Sequence, residues 1–307
     1  MAMTIILTVA SGCPSDDSVP ESADSTASPF KPVITLAVND WTASAVNVAI
    51  AEQLIERNLG YPVVPTRADD TTAMYEALAD GSLDAVLEIW PSAVTERDQR
   101  FFDRGQLVEL GPLGPVGQVG WFVPRYVIDD HPILATWSGF QGSEAAALFA
   151  TAETVPAGRF LGLDPSYRQF DQDIIDSLGL PFVVEFSGSE KLTMTALEAS
   201  AGARKPIVVY WWTPTAAVAT YDLVNVALPE PPEACCGYPA DPLIKVGSPQ
   251  LQDKAPEVLR FLQSFTISTG DQIDLLVAVE SNGQTIAAAA AEWIAANGAT
   301  WQAWLSE

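Results

Sequence analysis

Five aromatic residues in this 307-residue chain follow short apolar runs in a way that core packing alone does not require. Trp41 comes after VITLAV (33–38), Trp90 after the run that ends at Ile89, Tyr167 after FLGL (160–163), and Trp211 and Trp212 after IVVY (207–210). Each run reads as a strand, so four strands each deliver an aromatic ring just past the carboxyl end. In an open parallel sheet that edge is where ligands bind. Ring faces carry partial negative charge and attract cations, above all cations with no N–H group to hydrogen-bond elsewhere. Quaternary ammonium groups are such cations. Each desolvated ring contributes about 1–2 kcal/mol, and three or four together supply most of the ~8 kcal/mol of a micromolar site. Core filling is the competing reading. It suits Trp121, Trp137, Trp293, Trp301 and Trp304, which lack this placement.

The elements that must carry those rings alternate from residue 33 onward. VITLAV reads as a buried strand and Thr42 to Leu59 as a helix with Val46, Ile50, Leu54 and Ile55 on one face, stopped by Gly60. A strand begins at Pro62 to Val64, a helix spans Thr71 to Ala79, and a strand spans Leu83 to Ile89. This β-α-β-α-β order predicts an open parallel sheet with helices on both faces. The unit then recurs: Leu59-Gly60-Tyr61-Pro62-Val63-Val64 resembles Leu178-Gly179-Leu180-Pro181-Phe182-Val183, and Ala77-Leu78 matches Ala196-Leu197 at the same offset. Two lobes of similar build are expected, residues 33–124 plus 237–307 and residues 125–236, with the chain crossing at WFVPR (121–125) and returning near ALPEPP (227–232). Helices are expected over Ala255 to Phe265, around Ile273 to Val279, and over Thr285 to Ala296.

Composition narrows the function classes. A hydrophobic content of 48% supports a sizeable core. With 39 acidic against 15 basic residues the net charge is −24, and no basic patch offsets it, which argues against nucleic acid and anionic lipid surfaces. The charge reads as solubility or as mild attraction of cationic ligands. At the start, TIILTVA (4–10) followed by Ser11-Gly12-Cys13 is too short to span a bilayer and resembles a bacterial lipoprotein signal, with Cys13 lipidated. The signal departs from the usual pattern in lacking Lys or Arg before the apolar run and in carrying Ala10 where Leu is usual. Residues 14–32, rich in Ser, Pro, Asp, Glu and Ala, read as a flexible tether. Cys235 and Cys236 remain; a disulfide between neighbours and two separate thiols are both open readings, and no metal or cofactor is expected.

The stretches VNDW (38–41), EIWPSA (88–93), LGLDPSYRQF (161–170), VVYWWTP (208–214) and GYPADPLIKV (237–246) resemble the substrate-binding proteins of glycine betaine/proline betaine ABC importers, from about residue 33 to the C-terminus. The resemblance implies an α/β, two-lobed periplasmic-binding-protein-like fold of type II, with the ligand cleft between the lobes. It implies a cage of Trp41, Trp90, Tyr167 and Trp212 around a trimethylammonium group, with Trp211 and Tyr238 as weaker candidates. It also implies main-chain N–H donors at Arg168 and Gln169 for a ligand carboxylate. Many family members have Gly where Arg168 stands. Its guanidinium either binds the carboxylate directly or points outward and leaves that task to the backbone. Asp40 is either an acceptor for a ligand hydroxyl, which favours choline or carnitine, or an exposed acid at the strand end.

An enzyme fits poorly. His131 is the single histidine, in the loop-like Asp129-Asp130-His131-Pro132, and no Gly-x-Ser-x-Gly elbow, phosphate-cradling loop or zinc spacing occurs. A sugar-binding protein would add more hydrogen-bonding side chains than this cleft offers, and a receptor's ligand-binding domain would bring a membrane helix. The expectation is a monomeric, exported, lipid-anchored binding protein. It delivers a quaternary ammonium osmolyte, with glycine betaine as the expected solute, to an ABC permease for osmoprotection or nutrition.

Overall fold

VITLAV provides β1 (Ile34–Val38), and α1 (Thr42–Leu54) follows after Trp41, which sits at the helix N-cap in extended conformation. The computed structural model describes residues 30–68, 71–165, 167, 169–229 and 235–305; Cys13, the tether up to residue 29 and Arg168 lie outside them. The predicted helix 42–59 is continuous in space, but its last turn, Ile55–Leu59, widens into a π-helix before Gly60 caps it with φ of 70°. β2 (Val63–Arg67), α2 (Thr71–Asp80) and β3 (Ala85–Ile89) complete the first unit. β1 pairs in parallel with both β2 and β3.

The second unit repeats this plan. β5 (Gly158–Gly162), α6 (Asp171–Ser177), β6 (Phe182–Phe186), α7 (Glu190–Ala203) and β7 (Val209–Thr213) follow in order, and β5 pairs in parallel with β6 and β7. Gly179 takes a positive φ of 61° where Gly60 does in the first unit. The sequence repeat therefore corresponds to a structural one. One prediction is corrected: β7 continues to Thr213, so Trp211 and Trp212 belong to the strand and do not lie beyond it.

Two antiparallel strands join the units. β4 (Val108–Pro124) is 17 residues long. Its first part pairs with β9 (Asp241–Gly247), and its last part with β7 and the short β8 (Leu223–Asn225). The resulting order is β2-β1-β3-β9-β4-β7-β5-β6, with β8 on β4.

Side-chain alternation covers the first sheet on both faces. Ile34, Leu36, Ala85 and Leu87 enter one cluster with α1, and Ala37, Val86, Ile89 and Val246 enter another with Met74 and Leu78 of α2. A register shift against β9 falls between Val86 and Ile89. It puts Ile89 on the face of Val86 and leaves Glu88 aimed toward α1. The first cluster reaches Leu113 and resumes at Leu243; a separate cluster runs from Trp121 to Val226. C-terminal helices α10 (Pro256–Ser264), α11 (Thr269–Leu276) and α12 (Ile286–Ala296) pack on the first cluster, close to their predicted ranges.

Asp84, fully buried, ties β1 to the segment after β9. It accepts from Thr35 N at 2.7 Å, from Thr35 Oγ1 at 3.0 Å and from Lys254 Nζ at 2.7 Å. Asp84→Ala strands the ammonium and the Thr35 amide, so urea denaturation should register a loss of about 3–5 kcal/mol. The equivalent change at Glu76, whose ion pair with Arg97 is exposed, should cost at most about 1 kcal/mol.

Candidate functional site

Glu88 is 1% exposed and has no cationic partner among the described residues. Its Oε1 accepts from the indole N–H of Trp41 at 2.8 Å and from that of Trp90 at 3.2 Å. Its Oε2 accepts from Asn47 Nδ2 at 2.9 Å and from Gln272 Nε2 at 3.2 Å. Trp41 is delivered by the β1–α1 turn and Trp90 by the end of β3, so one oxygen fixes the rings of two loops relative to each other. Burial pushes the Glu88 carboxyl up to about 7, against the pull of its four hydrogen bonds. Beneath Trp90, Gly117 of β4 leaves the space the ring occupies; a Cβ there would stand 2.2 Å from Trp90 Cζ3.

The second unit supports its rings in the same manner. Asp171, at the start of α6 and 2% exposed, accepts from Trp121 Nε1 at 2.8 Å and from Tyr238 Oη at 3.0 Å. Tyr238 Oη in turn accepts from Phe170 N at 2.8 Å. From Tyr238 the aromatic contacts run outward. Tyr238 meets Tyr210 edge-on at 5.8 Å, Tyr210 meets Tyr167 edge-on at 6.5 Å, and Tyr167 stacks on Trp212 at 6.3 Å. Trp211 is buried and stacks behind Trp212 at 4.8 Å, with its indole N–H donating to Thr215 Oγ1 at 2.9 Å.

A cleft of about 300 Å³ lies between Trp41 and Trp212, and Asn39, Asp40, Arg67, Glu190 and Glu280 also line it. The structure thus brings Trp41, Asp40 and Trp212 to one cleft and stacks Tyr167 on the last. Trp90 reaches the same group through Glu88 and is not itself among the lining residues. Trp41 and Tyr167 are exposed, at 42% and 44%. Asp40 is paired with Arg67. Gln169 braces its loop: Oε1 accepts from Leu163 N at 2.9 Å, and Nε2 donates to Asp164 O at 2.7 Å. The sequence reading missed Glu88, Tyr210, Asp171, Glu190 and Glu280. Three acids line the cleft, and burial, then the neighbouring Glu280, raises the Glu190 pKa. Among the described residues no group of His, Cys, Asp and Glu could hold a metal ion. Cys235 and Cys236 are joined as a disulfide of adjacent residues.

Burial also raises the Asp171 carboxyl to about 7, well above its value in an unfolded chain. The folded state therefore holds this proton more tightly. That contribution to stability is complete below the ordinary carboxylate range and is lost as pH rises through about 7. In thermal unfolding, Asp171→Asn should match the parent near pH 4 and exceed it by several degrees at pH 8, because the carboxamide keeps an acceptor for Trp121 and Tyr238 without the charge.

Residues 32–296 match the family model described as the substrate binding domain of ABC-type glycine betaine transport systems. A trimethylamine N-oxide-binding protein of Pelagibacter ubique (strain HTCC1062) is 24% identical over 293 residues, spanning 90% of this chain and 92% of that protein. Lactococcal OpuAC in its closed conformation with glycine betaine aligns at TM-score 0.67 and 19% identity, covering 90% of this chain and 100% of that one. An ABC-transporter choline-binding protein in complex with choline aligns at TM-score 0.66 and 16% identity, covering 89% and 91%. The fold is the mixed α/β fold of these binding proteins. The family is extracytoplasmic and binds its solutes without transforming them. By the extent of that match, the chain belongs to the substrate-binding domains of ABC-type glycine betaine and quaternary ammonium transport systems.

Proposed function

We propose that this protein captures glycine betaine in the cleft between Trp41 and Trp212 and hands it to an ABC permease. The observation that carries the reading is the pair of supported ring sets on either side of the cleft. Trp41 and Trp90 hang from one carboxylate oxygen, and Trp212 is stacked on Tyr167 and backed by Trp211. Ring faces held in this way suit a methylated ammonium group, the part that the relatives' glycine betaine, choline and trimethylamine N-oxide have in common. The lobes are residues 33–124 plus 237–307 and residues 125–236. They close about the long strand β4, so that ligand binding and closure are one equilibrium. The ligand carboxylate is received by main-chain N–H groups at Arg168 and Gln169, in the loop that the Gln169 side chain braces. Lipid on Cys13 anchors the protein outside the cell membrane.

A second reading has its own observation. Asp40, Glu190 and Glu280 line the cleft, and these acids favour a cation that carries a hydroxyl in place of a carboxylate, as choline does.

Isothermal titration calorimetry with glycine betaine, proline betaine, choline and trimethylamine N-oxide tests both readings. Micromolar binding of glycine betaine is expected, with a loss of about five- to thirtyfold in Trp212→Ala, one ring contributing about 1–2 kcal/mol. Tighter binding of choline than of glycine betaine would favour the acid-lined reading. No heat with any of the four from folded protein would defeat both.

A further inference from the structure

A buried carboxylate without a cation is costly unless something supplies the missing charge. Glu88 is in that position. Of the charged groups on the elements around it, Asp40 pairs with Arg67, Asp241 of β9 accepts from Ser92, Asp271 of α11 accepts from Ser268, and Lys245 of β9 donates to the carbonyls of Gln263 and Phe265; Glu52 of α1 and Asp274 of α11 are acids and bring no positive charge. The four hydrogen bonds to the Glu88 carboxylate described above come from neutral donors. The two amides among them, Asn47 and Gln272, each leave a buried carbonyl oxygen with no partner among the described residues. Both therefore present N–H to Glu88 at the expense of their own acceptors, the arrangement an ionised carboxylate demands and a protonated one does not.

We propose that Glu88 is the positioning and charge-supplying residue of the aromatic site: its Oε1 aims the Trp41 and Trp90 rings, and its unpaired charge is completed by the ammonium of the ligand. This rests on the cation-binding reading above. Indoles that donate N–H to a carboxylate present more negative faces, so position and charge act on the ligand together. Burial raises the carboxyl of the empty site to about 7, so protonated and ionised forms coexist near neutral pH, and a bound cation shifts the balance to the ionised form whose hydrogen bonds the structure shows. Ligand uptake near pH 6.5 therefore expels a proton from Glu88.

The test uses choline and tetramethylammonium, whose charges do not titrate, with the full chain in buffers of different ionisation enthalpy at pH 6.5 and 8.5. The wild type should bind with release of a fraction of a proton at pH 6.5 and almost none at 8.5, and more tightly at the higher pH. Glu88→Gln, checked for folding by circular dichroism, should bind about tenfold or more weakly at pH 8.5 and release no proton from this position. Glu190 and Glu280 line the same cleft, so equal proton release in Glu88→Gln would assign the proton to them and overturn the proposal, as would unchanged affinity. Trp41→Phe keeps a ring and deletes one donor to Glu88. It should move the pH midpoint of binding upward, and an unmoved midpoint would overturn the proposal even if Glu88→Gln does not fold. A wild type that binds glycine betaine but neither probe overturns the proposal alone; one that binds no methylated ammonium compound overturns the functional reading with it.

Discussion

A carboxylate taken out of water needs hydrogen bonds from several directions, and a single segment of chain cannot supply them all. At Glu88 the donors come from the β1–α1 turn, from α1, from the end of β3 and from α11, a helix 184 residues away in sequence. Meeting that need fixes four elements against each other. The two indoles are held by the same bonds that satisfy the buried oxygen, so the rigidity of the first half of the site follows from the electrostatics of its interior. The register shift in β3 makes this possible, since regular alternation would have pointed Glu88 to the opposite face of the sheet.

The second half reaches the same end with other residues. Asp171 stands where a helix begins, collects an indole and a phenol, and through Tyr238 supports a line of rings that ends at Trp212. The repeated β-α-β-α-β plan sets both halves beside a shared antiparallel pair, β4 and β9. The duplicated scaffold thus carries ring supports that are not duplicated in detail: an acid at the end of a strand in one half, and an acid at the start of a helix in the other.

Much of this was legible in the sequence, for local reasons. Apolar period and glycine stops gave the order of strands and helices in both units, and rings following strand ends gave Trp41, Trp90 and Tyr167. What escaped depends on contacts distant in the chain. β9 pairs with β3 and β4, and nothing within its own seven residues announces that pairing. The extension of β7 through Trp212 comes from its ladder with Gln118 to Phe122, so Tyr210 looked like strand interior when it in fact joins the aromatic line. Glu88 was read as one residue of an apolar strand because the bulge that turns it cannot be seen in its neighbours. Asp171 resembled an ordinary acid in a first helical turn.

Gly117 has no side chain and does not line the cleft, yet the edge of the Trp90 ring fills the place its Cβ would take. It lies at the point on β4 where pairing passes from Asp241 of β9 to Thr213 of β7. In terms of inheritance, one position in the seam between the halves is closed to nineteen of the twenty amino acids by a ring that hangs from Glu88. A descendant of this chain that gains a side chain here must first move or shrink the Trp90 ring.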